Sequence, residues 1–171
     1  ADYEHSEGDI FGIGTVFEND AWEGRAEGFL QSINVGPGSL TGTFGGTFAD
    51  REFSALGAEA FVPLNTQFNW GIFALGRYDI NNLIFELSGR VDRQSNETAD
   101  LFLQGADLIA DIDRTTFSVA ASAIWEPIDG LSFGLNLSTA ERAPVPEELF
   151  SGGFHVATGS FEVGDPTLDP E

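Results

Sequence analysis

Apolar and polar positions alternate along most of this chain. Trp22, Gly24, Ala26, Gly28 and Leu30 take turns with Glu23, Arg25, Glu27, Phe29 and Gln31. Period two sends successive side chains to opposite faces, so Trp22–Gln31 is predicted to be a strand. The same rhythm predicts strands from Leu40 to Phe48, Phe68 to Tyr78, Leu83 to Val91, Arg114 to Glu126 and Leu131 to Thr139. Phe73 and Leu75 blur the pattern in the third of these. With strands expected before Gly8 and after Phe161, there are about eight segments, joined antiparallel as hairpins. Helical templates fit worse, because glycine falls inside most apolar stretches and costs about 1 kcal/mol each in a helix.

The gaps between these stretches have their own order. Short breakers stand at Asn34–Gly38, Asp79–Asn82 and Pro127–Gly130. Longer connections hold Asp50, Arg51, Glu52, Glu59 and Pro63, then Gln94 to Asp113, then Ala140 to Ser160. Leu101 to Ile112 fits either a short helical turn or an extension of its hairpin. Short turns at one end and long loops at the other predict an all-β fold: an antiparallel up-and-down transmembrane β-barrel segment. A tilted strand needs about 9–11 residues to cross a bilayer, which Trp22–Gln31 and Phe68–Tyr78 supply. The short turns near Gly36, Asn81 and Asp129 are expected to face the periplasm. The loops near Asp9, Glu59, Asp107 and Gly153 are expected outside.

The polar face of these strands is ionised, not merely polar. Glu23, Arg25, Glu27, Arg77, Glu86, Arg90 and Asp92 sit within strands, as residues facing the lumen of a wide barrel do. Trp22, Phe44, Phe48, Phe68, Trp70, Tyr78, Trp125 and Phe133 stand near strand ends, where an interfacial girdle belongs. Two other readings stay open: a small self-contained eight-stranded barrel, and a secreted β-sandwich binding carbohydrate or calcium. A sandwich would seal Trp70 and Leu135 between two layers and leave Glu23, Arg25, Glu86 and Arg90 in solvent.

The formal charge is -21, with no Lys and seven Arg, which excludes a phosphate backbone as an expected partner. The acidity keeps exposed loops soluble, or draws cations. The absence of Cys removes disulfides, thiolate chemistry and Cys-based zinc sites. No apolar run is long enough for a transmembrane helix. The chain opens on Ala1 and Asp2-Tyr3-Glu4-His5 without a signal peptide, so a mature form or an excised piece is expected.

Candidate chemistry is sparse. His5, beside Glu4 and Glu7, and His155 are the candidate metal ligands. Asp107, Asp111 and Asp113 offer oxygens for Ca²⁺ without the spacing of a calcium loop. No nucleophile elbow is present, and His5 and Ser6 point to opposite faces, so no enzyme is expected. No phosphate-cradling glycine loop and no cofactor are expected.

The C-terminal stretch adds a motif. Ser138-Thr139-Ala140-Glu141-Arg142-Ala143-Pro144 is followed by Glu148-Leu149-Phe150, Gly153-Phe154-His155 and Gly164-Asp165-Pro166-Thr167-Leu168-Asp169-Pro170-Glu171. This resembles the Ser-x-x-x-Arg-Ala-Pro, Glu-Leu-(Phe/Tyr), Gly-x-His and Gly-(Asn/Asp)-Pro-x-Leu-x-x-Glu series of TonB-dependent receptors. Glu23-Gly24-Arg25 and Asp50 to Gly57 are similar to strands of receptors implicated in zinc or haem uptake. The resemblance implies structural roles for Arg142, Ala143, Pro144, Glu148, Leu149, Gly153, His155, Gly164, Pro166, Leu168 and Glu171. Read from the residues themselves, Arg142 is expected to pair with Glu148, and Gly164-Asp165-Pro166 to form a turn that starts the next strand. The resemblance further implies a bacterial outer-membrane location, contact with lipid, a small nutrient ligand (metal, metal chelate or haem), and a TonB system acting through a plug. Nothing in the chain resembles that plug, so residues 1–171 are expected to be part of a twenty-two-stranded barrel. Open strand edges are expected to favour self-association.

Overall fold

The computed structural model describes residues 2–9, 12–57, 62–98, 110–155 and 159–171. Seven strands form one antiparallel sheet in sequence order: β1 (Asp2–Asp9), β2 (Gly12–Val35), β3 (Gly38–Gly57), β4 (Asn65–Ile80), β5 (Leu83–Thr98), β6 (Ala110–Ile128) and β7 (Leu131–Ala140). A five-residue helix, α1 (Pro146–Phe150), and a hairpin of β8 (Gly152–His155) and β9 (Ser160–Val163) follow. This is a segment of an all-β, up-and-down barrel. Neighbours in sequence are neighbours in the sheet, and among the described residues β1 does not pair with β7.

The predicted strands are present but too short. The expected connection at Asp50, Arg51 and Glu52 is strand, paired with Trp22, Ala21 and Asp20. Gln94–Thr98 and Ala110–Asp113 are also strand, so the hairpin extends at both flanks of its connection. The centre of that connection, including Asp107, lies outside the described residues, as does Glu59. The polar composition of these extensions hides them from a search for alternating apolar residues. Instead of about eight strands in one series, seven make the sheet and two more make a separate hairpin. Helix α1 was not expected at all. It is a single turn started by Pro146, whose missing N–H costs nothing at a helix N-terminus.

Each two-residue turn at the near end has a residue that tolerates left-handed backbone. Gly36, Asn81 and Gly130 have φ of 58°, 52° and 82°, as tight hairpins require. Beside the last turn, the β6–β7 register shifts between Trp125 and Ile128, where Pro127 has no N–H to give the ladder.

Register fixes the faces. Glu23, Ala49, Asn69 and Gln94 form one cross-strand row; Arg25, Thr47, Gly71 and Asp92 form the next; Glu27, Gly45, Phe73 and Arg90 form a third. All lie on one face. The other face carries Trp22, Phe44, Phe48, Trp70, Ile72, Leu87, Phe117, Trp125, Leu135 and Leu137, and all of them are exposed. Trp22 is 69% and Leu135 62% exposed. Only Ala55, Val62, Ile112, Leu149 and Phe150 are buried hydrophobics among the described residues, so no sandwich core exists here. Trp70, at 42%, is not sealed between layers. An apolar surface of this extent on a folded domain marks a face made for contact.

Candidate functional site

The polar face is organised by a pairing that recurs along three strands. Arg25 donates through Nε to Glu27 at 2.8 Å. Arg77 donates to Asp79 at 2.7 and 2.9 Å. Arg90 donates through Nε to Asp92 at 2.6 Å. Partners two residues apart on a strand share a face, which is why each guanidinium meets its carboxylate without turning the chain. Arg77 also reaches Glu86 at 3.3 Å, and Ser122 donates to the same carboxylate at 3.2 Å. Arg90 donates to Thr47 at 2.8 Å.

Phe73, which blurred the strand pattern, belongs to this face. Its ring lies over Gly45, where an added Cβ would stand 2.8 Å from the ring edge. Arg25 sits 4.6 Å and Arg90 5.8 Å from its centroid, both within cation–π reach. The six expected residues share a face: Arg25, Glu27, Arg90 and Asp92 stand in the Phe73 row and the one beside it, Glu23 lies one row farther toward the long connections, and Glu86 lies nearer the short turns. Sequence reasoning noted these charges singly. The signal it missed is the spacing Arg-x-Asp/Glu, which appears three times.

Toward the far end the polar face turns to amides. Gln67 donates to Asn96 at 2.9 Å, and Asn69 to Gln67 at 3.3 Å. Thr98 donates to the carbonyl of Leu64 at 2.9 Å. Asn96 is fully buried, and Ile112, its cross-strand partner, clusters with Leu149 and Phe150 of α1. The segment after β7 thus folds back over the amides.

Arg142 is the knot of that segment. It donates to both oxygens of Glu148 at 3.0 Å and to Glu171 at 3.2 Å. Its main chain exchanges two hydrogen bonds with Glu171, at 2.8 and 3.1 Å, the pattern of an antiparallel pair. Glu148 also accepts the Val145 N–H at 2.9 Å. These donors hold the Glu148 carboxyl below its ordinary pKa, the Arg142 pairing contributing most. Asp165 is held low in the same way by the hydroxyl and N–H of Thr167.

Two cross-strand neighbours pin the arms of this knot. Gln94 donates to the Pro144 carbonyl at 2.8 Å. Arg114 donates to the carbonyls of Leu168 at 2.8 Å and Pro166 at 3.2 Å. Gly164 passes so close to α1 that a Cβ would meet Leu149 at 2.5 Å and Phe150 at 2.6 Å. Gly153 faces Glu162 in the hairpin, and His155 faces Ser160. His5 faces Phe17 across β1 and β2. The two histidines thus lie in different sheets. Among the described residues, no group of three His, Asp or Glu is placed to hold a metal. Asp113 is instead taken by Ser95 at 2.7 Å and by Arg93.

The family model for "TonB dependent receptor-like, beta-barrel" matches residues 1–171. The chain belongs to that family. TonB-dependent receptors reside in the bacterial outer membrane and serve as receptors and transporters, not enzymes. The receptor's sheet has one largely apolar face, with Trp22, Leu87 and Leu135 exposed, and one that carries the Arg–carboxylate pairs. The Arg-Ala-Pro and Gly-Asp-Pro elements, far apart in sequence, are the two arms held by Arg142, Gln94 and Arg114.

Proposed function

We propose that this chain forms part of the wall of an outer-membrane receptor that imports a scarce nutrient with energy passed through TonB. The resemblance points to a metal, a metal chelate or haem as cargo. In this reading the apolar face meets lipid, the face bearing Arg25, Phe73 and Arg90 lines the lumen, and the turns at Gly36, Asn81 and Gly130 lie on the periplasmic side. One observation supports it above the others. Most of the large apolar side chains, Trp22, Ile72, Leu87 and Leu135 among them, are exposed on one face, and the Arg25, Arg77 and Arg90 pairs with carboxylates stand on the other. A water-soluble sheet has no use for that arrangement, and a bilayer-spanning wall needs it. Among the described residues β1 and β7 do not pair, which supports a wall segment over a self-contained small barrel; isolated copies would associate through unpaired edges.

The test is a deletion of the full gene. Growth and uptake are compared under iron and zinc starvation, with and without an intact TonB system. Loss of energised accumulation of one nutrient, restored by the gene only when TonB is present, is expected. Unchanged accumulation of every nutrient tested would overturn the proposal.

A further inference from the structure

Three amides on the polar face form a hydrogen-bonded chain that runs one way. Asn69 donates to Gln67 at 3.3 Å, and Gln67 donates to Asn96 at 2.9 Å. Among the described residues the two ends of that chain have no partner: the Asn69 Oδ1 acceptor and the Asn96 Nδ2 donor. Both atoms are shut off from solvent, and Asn96 as a whole is fully buried. Gln67 stands opposite Asn96 and Asn69 opposite Gln94, so Asn69 and Asn96 are diagonal neighbours on one face. Diagonal neighbours lie about 7–8 Å apart at the backbone, a span that two amides and one small bridging molecule cover.

The segment after β7 supplies the roof. Gln94 reaches out to the Pro144 carbonyl at 2.8 Å, and Ile112, which faces Asn96, clusters with the fully buried Leu149 and Phe150 of α1. A buried polar atom left bare costs more than an ordinary hydrogen bond contributes, and folded proteins meet such needs with ordered water. The occupant here must receive one hydrogen bond and give one. Turning all three amides over reverses the chain and leaves the same demand. The row that holds Asn96 runs Ala21, Arg51, Gln67, Asn96 and Ile112, without a carboxylate to meet a metal ion. Arg51, its one charged member, is engaged by the Asn19 side chain and the Phe53 ring.

We infer that one ordered water accepts from Asn96 Nδ2, donates to Asn69 Oδ1, and so closes the three amides into a ring sealed beneath α1. The segment from Arg142 to Glu171 then rests on a hydrated seat, and lifting it is what lets that water exchange. The site stands apart from the import reading, since its groups all belong to the chain's own packing.

The test is a crystal structure of the full receptor at a resolution that shows ordered water. A single peak about 2.7–3.2 Å from both Asn69 Oδ1 and Asn96 Nδ2 is expected. No peak, or an Asn96 amide turned onto a protein acceptor, would overturn the inference. Asn69→Leu removes the acceptor and leaves Asn96 bare whenever α1 is closed over it. In that variant the peak should vanish, and the amides of Leu149 and Phe150 should exchange about tenfold faster, because an open segment lets water reach Asn96. Heat-dependent gel mobility establishes that the variant is folded. An undiminished peak in the folded variant, or unaltered exchange, would count against the ring. Energised uptake is scored separately: its loss in the gene deletion bears on the import reading alone.

Discussion

Leu87 and Ser88 are neighbours on β5 that project to opposite faces, and arginine at each position separates the two sides of the wall. Leu87 is 62% exposed and stands in a cross-strand row with Gly76 and Ala121. Ala121 lies midway between Phe117 and Trp125, so this row is at midspan of the apolar band. An arginine facing lipid at the bilayer midplane costs about 2–4 kcal/mol. At 1.4 kcal/mol per decade, that is roughly a 30- to 700-fold loss in the folding equilibrium. Ser88 pairs with Leu75 and Ala120 on the polar face, between Glu86 and Arg90. Arginine there has water and both signs of charge beside it, and is expected to cost less than about 1 kcal/mol. The assay is urea unfolding of the full receptor refolded into lipid vesicles, followed by tryptophan emission. Equal costs at the two positions, or a larger cost at Ser88, would refute the assignment of the faces.

Four further outcomes are expected. Gly164→Ala sets a Cβ against the backbone of Leu149 and Phe150, so α1 should lose roughly 1–3 kcal/mol of local protection against hydrogen exchange. Gly134→Ala, which has open space around it, should leave exchange unaltered. The Glu148 carboxyl is held below its ordinary value near 4.5, so its contribution is full above that value and lost as pH falls through the depressed one. Protection of the 142–171 segment should therefore stay level from neutral pH down to about 5 and drop below about 4, with the Glu148 share of that drop absent in Glu148→Gln. Tyr78 donates to the Val35 carbonyl at 2.8 Å, and Tyr78→Phe should lower the unfolding free energy by about 1 kcal/mol in the same urea assay. Phe73→Leu removes the ring beneath Arg25 and Arg90 and should cost about 0.5–2 kcal/mol, with a smaller effect once Arg25 is already Gln.

The faces were legible because period two is a local property. Trp22, Phe44, Ile72, Leu87 and Leu135 announce their side of the strand without reference to any other strand. The strand ends were not legible, because Asp50, Glu52, Gln94 and Asn96 look like loop when read singly. They become strand only through partners such as Trp22, Asp20, Asn69 and Gln67 on neighbouring chain segments. The same distinction explains the knot. The pairing of Arg142 with Glu148 is six residues long and could be anticipated. Gln94 and Arg114, which hold the two arms, are separated from their carbonyls by about fifty residues, and nothing in their own surroundings marks them. Helix α1 was missed because a five-residue turn has no room for a periodic signal.

β3, β4 and β5 each share a ladder with a strand on both sides. Amides and carbonyls that pair with water at no cost outside a bilayer have nothing to pair with among acyl chains, and each left bare there costs several kcal/mol. None of these ribbons is satisfied until both neighbours are in register, so in a bilayer the zipping of the wall and its entry into the oil would be a single event.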